Sequence, residues 1–191
     1  MEISDQEKIL YAITGILSDL KIDYFITGGM AVSVWGRPRA TFDIDIIVNL
    51  IEPKVVSLTK AFKKISKTGY ADEEMVKDAI KNNGEFNFID ASSGIKVDFW
   101  VKKDDETSLL EFKNRKLKNI NGHEIFFISP EDLILSKILW RRQGGGEKHF
   151  EDVISVFTIS GSRLDMKYLK EQASRLDVLT ELEVALSRSG P

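Results

Sequence analysis

The chain of 191 residues contains no cysteine. That excludes a disulfide framework and any thiolate metal site, so a bound metal must rest on oxygen or imidazole ligands. Imidazole is scarce too: His123 and His149 are the only histidines, which argues against a zinc enzyme. No apolar run approaches the length needed to cross a bilayer, so no membrane association is expected. The N-terminus carries Asp5 and Glu7 and lacks the basic-then-apolar pattern of a secretory leader, which makes a cytoplasmic location the default expectation. A large charge of one sign is absent as well. Lysine and arginine total 27 against 30 acids, a formal net charge of −3, so bulk charge does not make the chain a polyanion binder.

Hydrophobic residues, at 42%, suffice for one compact domain or one domain with a small helical appendage. Two basic clusters stand out. Lys113, Arg115, Lys116 and Lys118 read as solvation, whereas Lys137, Arg141, Arg142 and Lys148 tilt toward a surface for RNA.

Ser4 and Glu7 form a capping box ahead of a helix with Ile9, Ile13, Ile16, Leu17 and Leu20 at helical spacing. A strand over 24–27 stops at Gly28-Gly29, a short helix over 30–35 follows, and Pro38 makes 37–41 a loop. Residues 43–48 read as an isoleucine-rich strand, and Pro53 opens a helix. A more polar helix is expected over 72–81, then strands at 86–90 and 95–101 joined through Ser92-Ser93-Gly94. Asn121-Gly122 signals a hairpin between 116–120 and 124–128. Ser129-Pro130-Glu131-Asp132 starts a helix that runs to about Arg142, and Gly144-Gly145-Gly146 breaks it, as a mobile linker or a helix junction. The remainder is helical, with a break near Ser160-Gly161. The pattern predicts an α+β fold with a mixed sheet of five or six strands flanked by helices. The expected division is a core over 1–128 and a helical C-terminal region over 129–191 packed on it.

Alternation along a strand sends Asp43 and Asp45 to one side and Ile44, Ile46 and Val48 to the core. Two carboxylates on one face repel, and a divalent cation turns that repulsion into chelation; hard oxygen donors suit magnesium, or manganese. Asp98, between Val97 and Phe99 on a second strand, joins the same face if the two strands are neighbours. Upstream, glycines at 28 and 29 let backbone N–H groups approach a phosphate at the start of a helix. From Gly29 to Asp43 is fourteen positions, room for one short helix and a returning loop. Arg37 and Arg39 are candidates for phosphate oxygens or plain surface arginines, and Thr41 is placed to orient Asp43 by a hydrogen bond. Trp35 and Trp100 are expected in the core.

Gly28-Gly29, Asp43-Ile44-Asp45 and Val97-Asp98-Phe99, in that order, resemble the signature of the DNA polymerase β-like nucleotidyltransferase superfamily. The stretch GGMAVSVWGRPRATFDIDIIV is similar to minimal nucleotidyltransferases of bacteria and archaea, including the type-IV abortive-infection toxin group of toxin–antitoxin pairs. SPEDLILSKILW, with Lys148 and Asp152 after it, resembles that group's helical region. The matching patches cover residues 22–50, 95–100 and 129–156.

The resemblance implies attack by a hydroxyl on the α-phosphate of a nucleoside triphosphate, ATP among the candidates, with release of pyrophosphate. It makes Asp43, Asp45 and Asp98 the catalytic metal ligands, Asp98 also the acceptor of the hydroxyl proton, and Lys137 a phosphate ligand. Many relatives carry Gly-Ser where this chain has Gly28-Gly29, so backbone amides must do the work of the serine hydroxyl. Lys148 and Asp152 lie where the toxin group has active-site residues, but the glycine triplet alters the spacing, and one helical turn between them equally suits an ordinary ion pair. The implied acceptor is an RNA 3′ end or a protein hydroxyl. A small-molecule antibiotic acceptor and a nucleotide-binding protein without turnover are the alternatives.

Overall fold

The computed structural model describes residues 3–65 and 72–190. These gather into two compact units. The first takes the chain up to Thr27 together with Thr41–Phe127; the second takes Gly28–Ala40 and everything from Ile128 onward. Among the described residues no helix is long and apolar enough to cross a membrane.

The first unit is built on one mixed sheet, with strands β1 (Tyr24–Ile26), β2 (Ile44–Val48), β3 (Glu85–Asp90), β4 (Ile95–Val101), β5 (Lys116–Ile120) and β6 (His123–Phe127) in the order β3-β4-β2-β1-β6-β5. β2 runs parallel to β4 and antiparallel to β1, while β1 runs parallel to β6. Both expected hairpins form. Asp90 caps the β3–β4 turn by accepting from Ser92 Oγ, Ser93 Oγ and Ser93 N–H, at 2.6, 2.6 and 2.9 Å. In the β5–β6 turn Asn121 and Gly122 both take positive φ, +51° and +91°, the conformation that favours this residue pair.

One face of β2, β3 and β4 is apolar because alternate residues point the same way. Ile44, Ile46, Val48, Phe86, Phe88, Val97 and Phe99 are all buried there. Helix α1 (Asp5–Asp19), with Ile13 and Leu17 fully buried, and helix α3 (Val55–Ile65) supply the facing layer; Phe62 meets Phe88 and Phe99 at ring distances of 5.2 and 5.4 Å. The capping box of Ser4 and Glu7 is complete. The more polar helix, α4 (Glu73–Asn82), is capped by Asp72 and closed by Asn83 in the left-handed region.

One element of this unit is additional to the sequence reading: helix α5 (Glu106–Asn114), capped by Asp105, whose Phe112 meets Phe25 at 4.9 Å. It buries only Ser108 and Phe112, so it leaves little apolar periodicity to read. Arg115, just beyond it, is structural: it pairs with Asp23 at 2.9 Å, donates to the Phe112 carbonyl and lies over the Phe126 ring.

The second unit is helical: α2 (Gly28–Trp35), α6 (Pro130–Arg142), α7 (Glu147–Ser160), α8 (Met166–Arg175) and α9 (Leu179–Arg188). Residues 28–40 therefore group with the C-terminal helices and not with the strands that flank them in sequence. Trp35 is buried as expected; its indole N–H donates to the Ile128 carbonyl at 2.9 Å, and its own carbonyl accepts from Ser160 Oγ. Ser129 caps α6 through Asp132, whose carboxylate also accepts from Tyr168 Oη at 2.7 Å. The glycine triplet is an ordered helix-to-helix turn, with Gly144 and Gly145 donating to the carbonyls of Arg141 and Trp140. A Cβ at Gly145 would lie 2.7 Å from the Trp140 oxygen, so only glycine closes this turn unstrained.

Candidate active site

Strand pairing in the first unit sets the carboxylates. Ile44 pairs with Val97, and Asp45 directly opposes Asp98. Directly paired residues project to the same side. Since Ile44, Ile46, Val97 and Phe99 are buried on the apolar face, Asp45 and Asp98 share the other, half-buried one. Asn87 opposes Asp98 from the far side, giving a polar row Asp45–Asp98–Asn87 across three strands. Asp43 lies just before β2 and is exposed.

The same face carries a residue that a search for acids passes over. Lys96 precedes Asp98 by two positions and so leaves the strand on its side. Its ammonium donates to Asp98 Oδ2 at 2.9 Å and lies 2.7 Å from Oδ1. Continued one residue back, the β2–β4 register sets Lys96 against Asp43. The Asp98 hydrogen bond, and after it the charges of Asp98, Asp43 and Glu85, hold the Lys96 ammonium above the ordinary lysine value although partial burial works against it. The result is a square of positions: Asp45 on β2 with Asp43 just before it, and Lys96 and Asp98 on β4.

Trp100 corrects the expectation of a core residue. It is half-buried on the Asp98 face, opposite Ile47, because it sits an even number of residues from Asp98. Thr41 reaches Asp43 through the backbone: its hydroxyl donates to the Asp43 carbonyl at 3.5 Å. Between the two, Phe42 is 86% exposed. Gln6 of α1 holds this segment by donating to the carbonyls of Thr41 and Phe42 at 3.0 and 3.2 Å. The chain leaves β1 at Thr27, whose N–H donates to the Asp45 carbonyl at 2.9 Å, and the next residue is Gly28.

The donor chemistry fits a hard divalent cation: carboxylates on one face, two of them directly opposed. As the side chains stand, no set of three acids or histidines among the described residues is gathered to hold a metal ion, and the cation seated on Asp98 is the Lys96 ammonium. Asp43, Asp45 and Asp98 are the residues that could take a metal here, with Lys96 as its rival.

The second unit holds the remaining sequence candidates. Gly28 takes φ +61° at the first position of α2, a conformation that suits glycine, and Gly29 is buried. Arg37 is exposed, and its backbone N–H donates to Ser155 Oγ at 2.6 Å. Arg39 grips Asp152 with two bonds of 2.7 and 2.9 Å, and Lys137 adds a third at 3.0 Å. Lys137 and Asp152 are 8% and 3% exposed and Arg39 is 25% exposed, so a buried ion pair is joined by a part-exposed second cation, with a net charge of +1 over the three. Burial would push the Asp152 carboxyl up; the Arg39 hydrogen bonds and the Lys137 charge outweigh it and hold the group below the usual carboxylate value. His149 is held below the ordinary histidine value by burial, and next by the Lys137 charge.

Lys148 is exposed, and Asp152 does not pair with it. The second basic cluster is thereby dispersed: Lys137 is buried on Asp152, Arg141 pairs with Glu147 at 2.7 Å, and Arg142 donates to the Asp177 carbonyl at 2.6 Å.

No protein-family model matches the chain, and no curated protein does. Solved structures do match. ANT(2'')-Ia in complex with adenylyl-2''-tobramycin aligns with a TM-score of 0.61 at 16% identity, over 91% of this chain and 99% of that one. An antigenic nucleotidyltransferase-like protein from Paracoccidioides brasiliensis aligns with a TM-score of 0.53 at 21% identity, over 97% and 94%. The lincosamide antibiotic adenylyltransferase LnuA, bound to lincomycin, aligns with a TM-score of 0.54 at 15% identity, over 83% and 99%. The mixed sheet with flanking helices is thus the α+β fold of nucleotidyltransferases.

Proposed function

We propose that the chain transfers a nucleoside monophosphate from a nucleoside triphosphate to an acceptor hydroxyl, releasing pyrophosphate. The observation carrying this reading is the direct opposition of Asp45 and Asp98 on neighbouring parallel strands, with Asp43 two residues from Asp45. Directly opposed like charges on a sheet are unfavourable by themselves, and Lys96 supplies one positive charge against three acids. Asp43, Asp45 and Asp98 would hold magnesium, or manganese, which when bound would supply charge neutralisation at the phosphates. Asp98 takes the proton as the acceptor oxygen bonds to the α-phosphorus and the bond from that phosphorus to pyrophosphate breaks. Thr41 supports the loop that carries Asp43. In the second unit Gly28 and Gly29 offer backbone N–H groups to phosphate. Arg37, Arg39, Lys137 and Lys148 are the cationic candidates for it, and the excess positive charge of the Arg39–Asp152–Lys137 cluster favours an anion.

The first acceptor is macromolecular, an RNA 3′ end or a protein hydroxyl, as in a toxin of the abortive-infection type. A small-molecule acceptor is the second reading, favoured by the internal pairing of Arg141 and Arg142, which removes much of the basic surface RNA would need. The deciding experiment supplies each α-labelled triphosphate with magnesium to total RNA, to protein extract, and to aminoglycosides and lincosamides. Label should move to one class of acceptor; nucleotide binding with no transfer to any would leave a binding protein.

Phe42 has a place in this reading. Held by Gln6 beside Asp43 and almost wholly exposed, its ring offers a stacking face to a flat substrate group. Phe42→Ala should raise the KM of either nucleotide or acceptor about tenfold with kcat little changed, and Phe42→Trp should retain the wild-type value. Unchanged KM values for both substrates would remove the ring from recognition.

A further inference from the structure

We propose that Lys96 is a built-in counter-ion of the carboxylate site, occupying Asp98 in the metal-free protein and competing with the divalent ion for it. The inference rests on the reading of Asp43, Asp45 and Asp98 as metal ligands and adds how their loading is controlled. Lys96 reaches both Asp98 oxygens, at 2.7 and 2.9 Å, so a positive charge already sits against the carboxylate that a divalent ion would need. The pair is only partly screened by water, the side chains being 43% and 18% exposed. The lysine comes from the same strand as Asp98 and the same face, so the contact needs no rearrangement of the sheet to form or break.

Three consequences follow physically. Without metal, the ammonium offsets the mutual repulsion of Asp43, Asp45 and Asp98. A divalent ion bound to Asp98 repels an ammonium at hydrogen-bond distance, so loading requires Lys96 to swing off toward solvent, which its partial exposure allows. The free-ion concentration needed for occupancy is therefore set by this lysine as well as by the three acids.

Manganese binding to the full chain, followed by electron paramagnetic resonance of the free ion, separates the outcomes without any turnover. Lys96→Met should bind manganese about tenfold more tightly than wild type, and Lys96→Arg, which keeps the charge, should stay near wild type. Lys96→Gln serves as the second neutral variant, with circular dichroism establishing that each is folded. If both neutral variants bind no more tightly than wild type while Asp45→Asn weakens binding, Lys96 is not a competitor and the inference is overturned with the site intact. If Asp45→Asn and Asp98→Asn leave manganese binding at wild-type strength, the metal site itself is refuted and the inference goes with it.

Discussion

Asp45→Asn is expected to lower nucleotidyl transfer by about a thousandfold, at the level of losing a key electrostatic group in an active site, while the protein stays folded. Asp45 opposes Asp98 across the β2–β4 ladder, and its neighbours Ile44 and Ile46 are fully buried. Asparagine keeps the shape and leaves those neighbours in place, so the apolar face of the sheet has no reason to change. What disappears is one of two opposed charges. The size of the stability change separates a catalytic role from a structural one. With the Lys96 ammonium beside the acids and the apolar face untouched, the exchange should move the melting temperature by no more than a few degrees. Loss of activity with stability preserved, measured by label transfer in magnesium and by thermal unfolding, is the expected pair of results. Activity above a tenth of wild type would sink the assignment.

Much of this site was legible because strands have a period of two. Isoleucines at 44 and 46 and the apolar residues at 97 and 99 fix which way the intervening aspartates point, and the observed burial follows that alternation. The same period placed Lys96 and Trp100 beside Asp98, and both were readable. A search for acids alone skips the lysine, and an apolar neighbourhood in sequence is a poor guide to which face a tryptophan takes.

What resisted reading is non-local. Arg39 and Asp152 are 113 positions apart, and nothing near either one marks the other as its partner. Nearness in sequence suggested Lys148 for Asp152, yet Lys148 is exposed and the buried carboxylate pairs with Lys137 and Arg39 from distant positions. The assignment of residues 28–40 to the helical unit is hidden for a related reason: the segment lies between two strands of the other unit, and its partners, Ile128, Ser155 and Ser160, come more than ninety residues later. The basic run from Lys137 to Lys148 looked like a surface for nucleic acid because charge in a sequence carries no sign of being paired.

Asp152→Ala should destabilise the second unit by about 3–5 kcal/mol at neutral pH, the range for removing one partner of a buried ion pair. The carboxylate is 3% exposed and is the common acceptor for the Arg39 guanidinium and the Lys137 ammonium, the latter 8% exposed. Without it Lys137 is a buried, uncompensated charge. Lys137→Met in the same background removes that charge and should recover much of the loss, a coupling that a packing defect alone would not produce. The pH dependence has a definite sign. The folded Asp152 carboxyl titrates below its ordinary value, so its contribution is complete above the unfolded carboxylate pKa of about 3.9 and is lost as pH falls toward the lower folded value. The gap between wild type and Asp152→Ala in urea unfolding should therefore be full at pH 7 and shrink progressively below about pH 4. A gap under about 1 kcal/mol at pH 7 would mean that the cluster is solvated and contributes as little as a surface pair. A gap that persists unchanged into acid would mean that shape, and not charge, is what Asp152 supplies to the second unit.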